Sequence, residues 1–167
     1  LAHGADPNGG FWTSGQFREF ETPLYGAAGV AHPVPLTRLL LAWGADPNDE
    51  EVVYHSPEEY DLEAMKLVVE TGRVTPPNLA LMLIRKHDWH DLDGVRYLLA
   101  SGADPNQRWR HGMGPVLHAI ERDNRLPIFE ALLDHGGDPT MIREPGISGV
   151  ARAARRGRGD LVELFQR

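Results

Sequence analysis

Apolar residues recur along this chain in short bursts at helical spacing, and each burst ends in the same way. Leu40–Leu41, Leu98–Leu99 and Leu132–Leu133 stand four and three residues ahead of Gly44, Gly102 and Gly136, and Val68–Val69 stand so ahead of Gly72. Leu1 sits three residues before Gly4, and Leu161, Leu164 and Phe165 form a last stripe. Such spacing buries one face of a helix. The glycine then takes the left-handed conformation that closes the final turn. A proline three residues on, in the copies at Gly4, Gly44, Gly102 and Gly136, forbids continuation.

The segment after the glycine is itself repeated. Gly-Ala-Asp-Pro-Asn occurs at Gly4–Asn8, Gly44–Asn48 and Gly102–Asn106, with a near copy, Gly-Gly-Asp-Pro-Thr, at Gly136–Thr140. Helix starts recur as well. Thr22-Pro23, Ser56-Pro57 and Thr75-Pro76 each place a hydroxyl at the cap and proline in the first turn, and Gly114-Pro115 and Ser148-Gly149 are weaker versions. The spacing from Pro23 to Gly44 equals that from Pro115 to Gly136, and it fits two short helices joined by a tight turn. The pattern predicts five helix pairs, at about 22–43, 56–71, 76–101, 115–135 and 148–167, after a leading half unit at 1–8.

These motifs resemble those of the ankyrin repeat family. Thr22-Pro23-Leu24-Tyr25-Gly26-Ala27-Ala28 looks like the family's TPLHxAA opening with tyrosine in place of histidine, and Val116-Leu117-His118-Ala119 keeps the histidine. Gly157–Leu164 is similar to its second-helix motif, and the GADPN copies to its GADxN turn. The resemblance implies an all-α solenoid of about five stacked helix-turn-helix units with short β-turn fingers. It covers residues 1–167 as one repeat domain, expected to be a fragment of a longer protein. It also implies that His118 makes a structural hydrogen bond to neighbouring turns.

The units depart from one another in informative places. The finger after Gly136 has near-usual length, as does the one expected between Gly44 and Pro57, which would hold Tyr54 and His55. The finger after Gly72 is essentially missing. The second pair is left a first helix of barely one turn, and the third an inter-helix loop longer than usual. The first finger, Gly9–Phe20, carries four aromatics between glycines. These are expected to fold back over the end of the array as a lid, the alternative being that they are offered to a partner.

Composition narrows the chemistry. The 167 residues are 41% hydrophobic and 25% charged, with a net charge of -7 and a pI near 5.6. That balance gives no general attraction to nucleic acid or anionic membranes. With no cysteine, disulfides, thiolate metal sites and cysteine nucleophiles are excluded. No apolar run reaches the roughly 18 residues of a spanning helix, and the expected location is soluble and cytoplasmic.

Three clusters invite chemistry. His87-Asp88-Trp89-His90-Asp91-Leu92-Asp93 has the residue types of a divalent metal site, and a metal-dependent hydrolase built there is the remote alternative. The same run also reads as an inter-helix loop with Asp91 capping the next helix. Arg152, Arg155, Arg156 and Arg158 make a basic patch at a helix end, where cations complement the dipole. Gln107-Arg108-Trp109-Arg110-His111 puts a tryptophan between two arginines at a loop tip, a composition that dominates interface energetics.

The resemblance implies that the function is to bind another protein on the fingers and concave face, and no catalysis, cofactor, metal or nucleic acid is expected. The expected contact residues are Arg108, Trp109, Arg110 and Arg143, with Trp12 and Phe17, and the missing finger between Gly72 and Pro76 leaves a notch in that ridge. A regulatory or targeting segment of a larger enzyme is the alternative.

Overall fold

A computed structural model describes residues 2–14, 16, 18–109, 112–142 and 146–167. Their regular structure is mostly helical, with one two-stranded sheet. In chain order there are strands β1 (Phe11–Trp12) and β2 (Phe20–Glu21), a π-helical segment Tyr25–Ala31, then α1 (Val34–Ala42), α2 (Glu50–His55) and α3 (Glu63–Glu70). They are followed by α4 (Pro76–Asp88), α5 (Leu92–Ala100), α6 (Pro115–Glu121), α7 (Leu126–Asp134), α8 (Gly149–Arg155) and α9 (Gly159–Leu164). None of the described helices is long and apolar enough to cross a membrane. The residues group into two compact units, Leu1–Asn78 and Leu79–Arg167.

In the first unit the π-helical segment packs on α2 and α1, and α1 packs on α3. Gly29 is where the π-helical segment meets α2, since a Cβ there would stand 3.0 Å from the Cβ of His55. In the second unit α5 packs on α7 and α7 on α9, while α6 packs on α7 and α8. The core is drawn from the bursts legible in the sequence. Leu40, Val68, Leu98 and Leu132 are buried, as are Leu99 and Leu161, whereas Leu41 and Leu133 are only half-buried.

Every closing glycine of the repeated turns has positive φ, Gly44 at 94° and Gly102 at 93° among them. An added Cβ at either would touch nothing, so the demand is conformational rather than steric. A second left-handed residue lies between the two helices of four pairs: His32, His90, Asp123 and Gly157.

The turn motif has a physical role for each polar residue. Its aspartate accepts from the amide two residues on: Asn8 N to Asp6 at 2.9 Å, Asn48 N to Asp46 at 2.9 Å, Asn106 N to Asp104 at 2.8 Å and Thr140 N to Asp138 at 2.7 Å. Its asparagine reaches the next turn along the chain. Asn8 donates to Gly44 O (3.2 Å) and accepts from Asp46 N (2.7 Å). Asn48 donates to Arg73 O (3.0 Å) and accepts from Thr75 N (2.8 Å). Asn106 donates to Gly136 O (2.8 Å) and accepts from Asp138 N (2.7 Å).

Three expectations need correction. The second pair begins at Glu50, not at Ser56. Asp49 accepts from the amides of Glu51 and Val52 and caps α2, while Ser56 ends that helix. Tyr54 and His55 therefore lie on a helix and not in a finger. The third pair has no lengthened loop, because its additional residues extend α4 to Asp88. Finally, the first finger is no lid. It is an antiparallel hairpin pairing Phe11 with Glu21 and Trp12 with Phe20, and Phe11 and Trp12 are 63% and 58% exposed.

Candidate functional site

The hairpin finger is held by its own backbone and by one hydroxyl. Thr13 N donates to Glu19 O at 2.9 Å, and Glu19 N donates to the Thr13 hydroxyl oxygen at 2.9 Å. Gly10 allows the strands to close, since a Cβ at that position would lie 2.2 Å from Glu21 O. The Trp12 and Phe20 rings meet at 5.2 Å between centroids, and the Arg18 guanidinium stands 5.5 Å from the Trp12 ring centre. This stacks a cation on a half-free indole. Arg18 was not singled out by the sequence, which shows its distance from Trp12 but not the hairpin that folds one onto the other.

The finger after Asn106 is held by backbone bonds between its described residues. Trp109 N donates to Met113 O at 2.8 Å, and Gly112 N donates to Trp109 O at 3.1 Å. This leaves Arg108 exposed and Trp109 half-buried. The following finger is closed by a bridge between Ile142 and Ser148, and Ile142 is half exposed. Between these two fingers lies a narrow apolar notch walled by Pro105, Val116, Leu117, Met141 and Ile142. Arg110, Arg143 and Phe17 lie outside the described residues. Trp12 belongs to the first compact unit, and Arg108 and Trp109 to the second.

The histidine–aspartate run is distributed among structural tasks. His87 is fully buried on α4, and neither ring nitrogen has a partner among the described residues. Burial, with His118 adding to it, pushes its pKa down to about 3, so the imidazole is neutral. Asp88 accepts a hydrogen bond from His118 Nε2 at 2.8 Å and pairs with Arg85 and Arg122. Burial would raise the Asp88 carboxyl, but the hydrogen bond from His118 and the neighbouring Arg85 and Arg122 guanidinium groups bring it below its ordinary value. His90 is the left-handed turn residue. Asp91 caps α5 through Gly94 N at 3.0 Å and pairs at 2.7 Å with Lys86, whose side chain is wholly buried. Among the described residues no group of three or more His, Asp or Glu side chains is arranged to hold a metal ion.

The arginine patch is mostly engaged. Arg152 and Arg156 both bind Glu121, the latter at 2.9 Å, and Arg158 bridges Asp123 at 2.6 Å and Asp160 at 2.8 Å. These pairs tie α8 and the turn before α9 to the end of α6.

No family model matches the chain, and a search of curated proteins gives no match either.

Proposed function

We propose that the chain is an ankyrin-repeat array, a solenoid of stacked helix pairs, whose function is to bind another protein on its finger turns. The helix pairs act as the rigid part. The contact residues are Trp12 and Phe17 in the first finger, Arg108, Trp109 and Arg110 in the finger after Asn106, and Arg143 in the last. The array catalyses nothing itself and works as a scaffold in the cytoplasm.

The observation that carries this reading is the state of the first finger. Two large aromatics, Phe11 and Trp12, are more than half exposed on a hairpin whose backbone and cross-strand contacts hold them out. Exposed apolar groups presented together in this way mark contact surfaces. Tryptophan and arginine are also the side chains that most often dominate binding energy. Support for the repeat reading comes from the asparagine bridges, which join successive turns by the same two hydrogen bonds at Asn8, Asn48 and Asn106.

The test is to capture the partner from source lysate by crosslinking, purify it and titrate it against variants. Trp12→Ala and the pair Trp109→Ala, Arg110→Ala should each weaken affinity at least about tenfold, or about 1.4 kcal/mol, with melting unchanged. Full affinity in both variants would refute the finger assignment.

A further inference from the structure

Helix α1 carries an apolar stripe that the fingers do not account for. Leu36, Leu39 and Trp43 follow one another at helical spacing and are 45%, 48% and 50% exposed. Another side of the same helix, with Arg38, Leu41 and Ala42, lines a groove shared with Leu67 and Glu70 of α3. The stripe is therefore a separate face from the one that α3 covers.

The same position is covered in other helices of this kind. Ala64 and Ile128 each stand eight residues before a closing glycine, as Leu36 does before Gly44, and both are only 2% exposed. Leu161 follows the left-handed Gly157 by four residues, as Leu36 follows the left-handed His32, and it is fully buried. These residues lie in or beside helices that pack on the preceding helix of their row: α3 on α1, α7 on α5 and α9 on α7.

The asparagine bridges identify what belongs on α1. Asn48 lies in the turn that closes α1 and bridges to the turn after α3, and α1 packs on α3. Asn106 lies in the turn that closes α5 and bridges to the turn after α7, and α5 packs on α7. In both cases the helix closed by the asparagine turn lies against the helix whose turn is bridged. Asn8 bridges to Gly44 and Asp46, in the turn after α1. We infer that Leu36, Leu39 and Trp43 are a stacking surface for one more helix of the same repeat class, the helix that the Gly4–Asn8 turn closes. Its contact side is small and apolar, like Leu41 and Ala42 of α1. The inference is independent of partner binding by the fingers.

The test keeps the whole chain and adds such a helix ahead of it. Residues 114–132 are joined ahead of Leu1, so that Leu1-Ala2-His3-Gly4 continues where Leu133-Asp134-His135-Gly136 stood, and residues 22–40 are joined in the same way in a second extension. At least one extension should melt about 3 °C or more above the parent, a shift worth about 1 kcal/mol in a chain of this size, and should slow amide exchange across Leu36–Trp43. Leu36→Glu should then lower melting of the extended chain by about 5 °C or more, while moving the parent by about 1 °C at most. An equal shift in parent and extended chain overturns the inference. So does failure of both extensions to raise melting and protect α1. A parent dimer that Leu36→Glu or Trp43→Glu dissociates also overturns it, because the occupant would then be a second copy.

Discussion

The carboxamide of Asn106 accepts a hydrogen bond from the backbone amide of Asp138 at 2.7 Å, across thirty-two residues of chain. Its nitrogen meanwhile donates to Gly136 O at 2.8 Å. One side chain thus matches a donor and an acceptor of the next turn, and Asp138 in turn organises its own turn by accepting from Thr140 N. Register between successive pairs is fixed at this point, outside the apolar core.

Asn106→Ala removes both hydrogen bonds at once. At the usual net worth of about 0.5–1.5 kcal/mol each, the loss should be about 1–3 kcal/mol of stability. Thr140→Ala loses only a contact within its own turn, to Asp138, and should cost less. Urea titration of the two variants against the parent checks the order.

Leu99 is 4% exposed, and truncation to alanine should cost about 2–5 kcal/mol, as for other buried leucines. Leu133 holds the second place of its own doublet, as Leu99 does, but is only half-buried, so Leu133→Ala should cost clearly less. Equal losses in thermal unfolding would contradict this placement.

Asp91→Ala should be among the most damaging single changes in the second unit. It removes the cap of α5 and the carboxylate 2.7 Å from the buried Lys86 ammonium, and removing one partner of a buried ion pair costs about 3 kcal/mol or more. Lys86→Met combined with Asp91→Ser keeps a capping oxygen and removes both charges. The double variant should recover most of the loss, as read by denaturant unfolding.

His87 gives a pH dependence of defined sign. Its folded pKa, about 3, lies below the ordinary 6.5, so on acidification the unfolded chain takes up a proton that the folded chain refuses. Stability is full above pH 6.5 and falls as pH drops toward 3, at about 1.4 kcal/mol per pH unit for one such group. Asp88, held below its ordinary value, adds a loss in the same direction at lower pH. His87→Leu should flatten the profile between pH 6.5 and 4.5, measured as unfolding midpoints in urea.

The parts of this fold that were legible in the sequence are those fixed by local chemistry. Glycine at a left-handed turn, the first leucine of the doublet before it and the caps at Ser148 and Asp91 each depend on a few neighbouring residues, and each is found where the pattern places it. The start of α2 was not legible. Ser56-Pro57 has the residue types of a cap, whereas the true cap, Asp49, follows directly on a turn motif and reads as part of it. The length of α4 was hidden because Lys86, His87 and Asp88 look like solvated loop, and only tertiary packing buries the first two. The site was half legible. Trp12, Arg108 and Trp109 stand out by residue type, but the hairpin that exposes Phe11 and Trp12 and lays Arg18 on the indole depends on pairing across a loop.

One asparagine bridge, repeated at Asn8, Asn48 and Asn106, joins each of these turns to the next. Amide hydrogen exchange by NMR at Asp46, Thr75 and Asp138 tests it most directly, because each of these amides donates to the asparagine of the preceding turn. All three should exchange slowly in the native protein, and Asn48→Ala should release Thr75 while leaving Asp138 protected. Rapid exchange at all three amides in the parent chain would contradict the account.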